Sequence, residues 1–223
     1  MVKVGFFASI IRAQNAILSG ILITLGVSFA AILLSTLTGL IIGFLLTYAN
    51  RYWRLPFRLY VDIVRGLPGL VTIFAVYYYL DFLLQFFGLK LSPIASGVIA
   101  LSVTSSAHVA EITRGALQAI PSGQTEAGKA IGLRFYQILM YILLPQSLIR
   151  MLPPWINTVV EIVKGSSLLA LIGIVELLLT AQQLIAKNNY ALRYYSFIGL
   201  IYFLINFAIE KLGKYAEKKL RFE

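Results

Sequence analysis

The sequence contains no cysteine, which excludes a disulfide frame and any thiolate metal site. Histidine is almost as scarce, with His108 alone, so a histidine-based metal centre or a Ser-His-Asp triad lacks its material. Charge is sparse as well. Asp, Glu, Lys and Arg make up 13% of the 223 residues, where a soluble domain carries about 25%. No coiled coil, low-complexity tract, clear internal repeat or soluble domain interrupts the chain. In their place stands apolar sequence: 59% of the residues are hydrophobic, against roughly 45–50% in a soluble domain. Both departures point to a bilayer. The net charge of +10, which in a soluble protein would suggest nucleic acid, reads here as membrane orientation, because the basic residues fall between and after apolar runs.

Ala13 to Ala49 is free of charged residues, enough to cross a bilayer with tilt or overhang. It ends in NRYWRLPFR, with Arg51, Arg54 and Arg58 around the breaker Pro56. Further spans are predicted at about 60–86, 92–112, 151–172 and 194–211, after a first at about 15–49. A polar stretch lies between the third and fourth, and a short or re-entrant helix runs to about 185. The N-terminus lacks a clear cleavage site ahead of a polar mature domain and is taken as retained. Five spans put Arg51, Arg54, Arg58, Arg114, Lys129, Arg134 and the five cations of the C-terminal tail on one face. Lys3, Arg12, Lys90, Lys187 and Arg193 fall on the other. The positive-inside rule then places the C-terminus and the polar stretch in the cytoplasm and the N-terminus outside.

Within the polar stretch, GQTEAGKA (residues 123–130) is one residue short of a phosphate-binding loop, with Ala130 where Ser or Thr should hold magnesium. Such a loop follows a strand and opens a helix. Here a membrane span and a turn precede it, so ATP binding by this chain is not expected. The same residues fit a longer pattern: Glu126, Ala127, Gly132, Ile142, Leu144 and Pro145 stand at the spacing E-A-A, three residues, Gly, nine residues, Ile, one residue, Leu-Pro. EAGKAIGLRFYQILMYILLP thus resembles the EAA loop of ABC importer permeases, with Gly128 as its single departure. That glycine is expected to loosen a helix by up to about 1 kcal/mol. Ser122 is placed to cap a short helix, on which Glu126, Ala127 and Ala130 share a narrow face, and Gly132 permits a sharp exit. YVDIVRGLPGLVTIF, AEITRGALQAIPSGQTEAG and LLPQSLIRMLPPWINTVVEIVKGSSLLALIGIVEL resemble further signatures of permeases for polar amino acids, so that the likeness covers about 15–220.

The resemblance implies an all-α membrane protein of one permease domain (1–223) with the type I importer fold, five spans, and a coupling loop at about 118–145. It implies the multi-pass plasma membrane of a prokaryote. Its partners would be a pair of ABC ATPase subunits, which would bind ATP and magnesium in place of this chain, a second permease chain (identical or a sister), and an extracellular or periplasmic amino-acid-binding protein. Ser122, Glu126, Ala127 and Gly132 would form the contact with the ATPase.

Ionisable groups inside a bilayer usually face a cavity or a partner. Glu161 lies eleven residues beyond Arg150, about 16 Å at 1.5 Å per residue, near the middle of a roughly 30 Å core. There it favours a cationic substrate, or else pairs with Lys164 one turn on. Ser105, Ser106 and His108 of TSSAH reach similar depth and are candidate contacts to an amino acid's polar ends, as are Asn157 and Thr158, one turn from Glu161. Asp62 is expected to pair with Arg65, with Arg65 holding a substrate carboxylate as the other option. Glu111 is expected to contact Arg114 or Arg134. The chain thus reads as a non-enzymatic permease subunit for arginine, lysine or histidine, with another polar amino acid such as glutamine as the alternative. A secondary transporter would commonly show paired inverted repeats, and an intramembrane enzyme would show H-E-x-x-H, G-x-S-x-G or paired aspartates; none is found.

Overall fold

The computed structural model describes residues 6–221; Lys3 and the two chain ends of the expected 1–223 domain lie outside them. The described residues are helical almost throughout and contain no strand. A short helix α1 (Phe6–Arg12) leads into α2 (Gln14–Tyr48). With 35 residues, α2 is about 52 Å long at 1.5 Å per residue. Four helical stretches are long and apolar enough to cross a membrane: Gln14–Tyr48, Pro93–Gln118, Phe135–Ile172 and Ala191–Leu220. The number rises to five when the pair either side of residues 67 and 68 is counted as one span.

That pair corrects the predicted second span at 60–86. Residues 51–66 form a separate helix, α3 (Arg51–Gly66), and the chain breaks at Leu67, whose φ of −93° and ψ of 139° are extended. Pro68 explains the break, since proline drives the residue before it out of the helical region. Asn50 opens α3 by accepting from the Trp53 amide, a standard N-cap. Its apolar residues Val61 and Val64 are buried, while Tyr52, Leu55, Leu59 and Ile63 are exposed. After the break come α4 (Gly69–Phe74), a π-helical stretch (Ala75–Leu80) and α5 (Asp81–Gln85). The third span, α6 (Pro93–Gln118), extends six residues beyond its predicted end.

The fourth span is also longer than expected. After α7 (Ser122–Ala130), the chain is continuously helical through α8 (Phe135–Ile138), a π-helical stretch (Leu139–Leu143), α9 (Leu144–Gly165) and a 3₁₀ segment (Ser166–Ile172). Three prolines lie in this stretch without interrupting it. Pro145 lies directly after the π-helical stretch, whose widened turn accommodates a residue without an amide hydrogen. Pro153 and Pro154 remain inside α9. The last helices are α10 (Leu177–Asn188) and α11 (Ala191–Arg221).

The chain packs as two compact units. The first comprises residues up to 33, 68–102 and 160–208. One cluster in it buries Val27, Ile73, Leu101, Ile162, Leu169 and Ile172, and a second buries Ile17, Leu177, Ala181, Tyr194 and Ile198. Glu176, only 1% exposed, is its buried acid. It accepts from the amides of Leu178 and Leu179 at 2.8 Å each and from the Tyr202 hydroxyl at 2.6 Å. The Leu177 amide donates to Thr24 Oγ1 at 3.2 Å. The first amides of α10, which no helix satisfies internally, therefore all have acceptors.

The second unit comprises residues 34–67, 103–159 and 209 onwards. Its clusters bury Leu46, Val61, Val64, Ala107 and Ala110, and Ile120, Ile138, Leu139 and Leu143. Helices α2 and α6 meet here at Gly39 and Gly43. A Cβ on Gly39 would lie 2.5 Å from Val109 Cβ, and one on Gly43 would lie 2.5 Å from the Ala110 carbonyl oxygen. Small residues four apart let membrane helices approach this closely.

Candidate functional site

Helix α7 carries the motif residues of the polar stretch. Pro121, with φ −59° and ψ 141°, is its N-cap, and no side chain caps it. Ser122 is therefore the first helical residue, and its expected capping role is corrected: proline's fixed φ already sets the entry. The exit is as expected. Gly132 has φ +80°, its amide donates to the Lys129 carbonyl at 2.9 Å, and the Leu133 amide donates to the Gly128 carbonyl at 3.0 Å. This pair of bonds ends a helix through a left-handed residue, a conformation glycine enters without penalty.

Glu126, Ala127, Lys129 and Ala130 are exposed, while Gly128 is buried. A Cβ at Gly128 would meet Ile138 Cγ1 at 2.8 Å and Ile142 Cδ1 at 3.3 Å. The departure from E-A-A is thus a close-packing position as well as a weak point in a helix. Gln146 of α9 also reaches Gln124 of α7 at 3.4 Å, and Arg150 Nη1 donates to the Ala119 carbonyl at 3.0 Å. Side chains of α9 therefore touch both α7 and the turn before it.

Of the predicted mid-membrane residues, Ser105, Ser106, His108, Asn157 and Thr158 belong to the second unit and Glu161 to the first. Ser106 is 2% exposed. Its hydroxyl donates to the Val103 carbonyl at 2.9 Å and lies 2.6 Å from the Tyr60 hydroxyl, which also reaches the Val103 carbonyl at 3.0 Å. Thr158 is 5% exposed and donates to the Pro154 carbonyl at 3.2 Å. These two hydroxyls are engaged within the protein. Ser105 is 8% exposed. His108 Nδ1 lies 3.0 Å from the Thr104 carbonyl oxygen one turn back, on a half-buried ring. Asn157 is exposed.

The charged residues separate into paired and unpaired sets. Glu111, with a side chain 15% exposed, is held on both sides: Arg58 Nη1 lies 2.8 Å from one carboxylate oxygen and Arg114 Nη2 lies 2.7 Å from the other. Arg58 also binds Asp62 at 3.0 Å. The expected partner of Asp62, Arg65, is thereby corrected to Arg58, four residues earlier on the same helix face, and Glu111 takes Arg58 as well as the expected Arg114. By contrast Glu161 and Lys164 are both exposed on α9, and no ion pair joins them among the described residues.

Sequence reasoning did not anticipate two supporting groups. Tyr60 positions Ser106, and only tertiary contact reveals it. Glu176 caps α10; the signal was present, an acid directly before the apolar run LLLTAQQLI, where negative charge suits a helix N-terminus.

Long apolar helices, with a short exposed helix between them that ends in a left-handed glycine, make this a multi-span membrane component. The chain belongs to the family described as the binding-protein-dependent transport system inner membrane component, which matches residues 35–222. It is 31% identical over 215 residues to the glutamine transport system permease protein GlnP of Escherichia coli (strain K12), covering 96% of this chain and 97% of that protein. It is 35% identical over 207 residues to the octopine transport system permease protein OccM of Rhizobium radiobacter, covering 88% of this chain and 82% of that protein. Its fold superposes with a TM-score of 0.86 and 29% identity on a chain from the crystal structure of an amino acid ABC transporter with histidines, covering 97% of this chain and 99% of that one. The all-α, type I importer permease fold is that of this family, whose members are permease subunits without an ATPase site of their own.

Proposed function

We propose that the chain is the membrane-spanning permease of an ATP-driven importer for amino acids, and that its preferred cargo carries a positively charged side chain. The carrying observation is Glu161: an acid in an apolar span, exposed, with no ion pair to Lys164. A charge on a spanning helix is not left facing lipid. Its exposed side faces a second permease chain or the water-lined path that two such chains enclose. There the carboxylate can take two parallel N–H bonds from a guanidinium, while the Lys164 ammonium, three residues on, suits the cargo's own carboxylate. Ser106 and Thr158, already bonded internally, shape the helices that carry them.

The second reading, a neutral amide-bearing amino acid, is favoured by the 31% identical glutamine permease. A Glu carboxylate also accepts from an amide, with a single weaker bond.

The energy source in this proposal is a pair of ATPase subunits that bind ATP and magnesium and grip the exposed Glu126, Ala127 and Ala130 of α7. A binding protein delivers the cargo on the opposite side. The basic face, with the C-terminus and α7, lies in the cytoplasm of a prokaryote, and the N-terminus lies outside. Reconstituted with its ATPase subunit and binding protein, the chain should take up labelled arginine, lysine or histidine only with ATP, and unlabelled glutamine should compete at least about tenfold less well. Glu126→Lys should abolish uptake while leaving the protein folded. Uptake that persists without any ATPase rejects the importer reading, and stronger competition by glutamine than by lysine selects the second cargo.

A further inference from the structure

Basic residues on the less basic side of the predicted topology work against its orientation, so they are not there to set it. Of the five there, Arg12, Lys187 and Arg193 gather in one part of the first unit. A cavity of about 290 Å³ is lined by Arg12, Lys187, Ser9 and Asn188 over an apolar floor that includes Ala13 and Leu184. Neither the Arg12 nor the Lys187 side chain has an ion pair or hydrogen bond among the described residues. Two like charges facing one small cavity repel each other, and the pair is stable only with an anion or abundant water between them. The polar wall is fixed beforehand. Asn188 Nδ2 donates to the Tyr194 hydroxyl at 3.0 Å, which donates to Ser9 Oγ at 2.8 Å, which donates to the Phe6 carbonyl at 2.6 Å. Tyr194 is completely buried. Beside it the Arg193 guanidinium lies over the Phe6 and Tyr190 rings, 5.8 and 5.2 Å from their centroids.

We infer that this cavity is a binding site for a phosphate group. Arginine and lysine together supply the donors and positive charge that phosphate oxygens take. The surroundings suit a phospholipid headgroup: the cavity lies where α1 meets α2 and where α10 ends. The large side chains of Ile11, Leu18 and Leu192 stand exposed at 67%, 56% and 82% on the same elements and the following helix, positioned for acyl chains to cover. A free phosphate has the same headgroup chemistry, and the test separates the two.

The full-length chain, purified in detergent, is titrated with short-chain phosphatidylglycerol, with diacylglycerol lacking the phosphate, and with inorganic phosphate, and binding is followed by native mass spectrometry. Phosphatidylglycerol should bind the wild type at least about tenfold more tightly than the Arg12→Gln/Lys187→Gln variant. Lys187→Arg, which keeps the charge, and Lys214→Gln, elsewhere on the chain, should bind as the wild type does. Either single Gln variant, at an exposed position, shows the loss if the double variant does not fold. Failure of inorganic phosphate to compete assigns the site to lipid, and full competition assigns it to free phosphate. Equal binding of phosphatidylglycerol by the wild type and the Gln variants, or diacylglycerol binding as tightly, overturns the proposal.

Discussion

Glu111 and Glu161 are the same residue on comparable apolar helices, and they are treated in opposite ways. Glu111 is gripped by Arg58 and Arg114 within 2.8 Å, so its charge is spent inside the protein. Glu161 is exposed and unpaired with its neighbour Lys164. A membrane helix tolerates a carboxylate in both circumstances, but only the unpaired one has binding capacity left. Acidity alone therefore does not single out a cargo candidate in a permease; the absence of an internal partner is what makes Glu161 the proposed one.

Three substitutions sharpen or break that contrast. The largest effect on stability is expected for Glu176→Ala, which strips acceptors from two amides and a tyrosine hydroxyl in a fully buried setting. We expect a loss of about 3 kcal/mol, read as a lower unfolding midpoint in a detergent-denaturant titration; an unchanged midpoint would remove Glu176 from the clamped class. Next comes Glu111→Ala. It leaves Arg58 and Arg114 to repel each other, but both are partly exposed, so the loss is about 2 kcal/mol, below that of a fully buried pair. Repeating the titration in high salt should shrink the difference if the contribution is electrostatic. The smallest change in stability, within about 0.5 kcal/mol, is expected for Glu161→Gln. Its effect is on transport: arginine uptake should fall by about tenfold or more, the loss of one charge-assisted contact, while glutamine uptake holds. Equal losses for both cargoes would show that Glu161 serves the helix and not the ligand.

Much of this was legible in the sequence because composition and spacing carry it. The charge-free run after Arg12 predicts α2 nearly to the residue, and the spacing from Glu126 to Pro145 locates α7 and its glycine exit. What was not legible depends on three-dimensional partners. The run of apolar residues at 60–86 reads as one span, and the break at Leu67 and Pro68 shows only in the structure. The fourth span was placed too short because Pro145, Pro153 and Pro154 are breakers by residue type, and the structure carries the helix through all three. Arg58 and Arg65 are equally plausible partners for Asp62 by sequence distance, and Glu111, from another helix, decides between them by drawing Arg58 to the same place. Ser106 looked available until Tyr60, forty-six positions earlier, was seen to engage it.

The burial of Gly128 has a mechanical meaning. A methyl group on that backbone would press on Ile138, so the short helix sits closely against the segment that follows it. If a partner pushes on Glu126 or Ala130, as proposed above, the first side chains behind them are Ile138 and Ile142, at the base of the long fourth span. The amino acid that weakens this helix intrinsically is the one that lets it seat closely on the next.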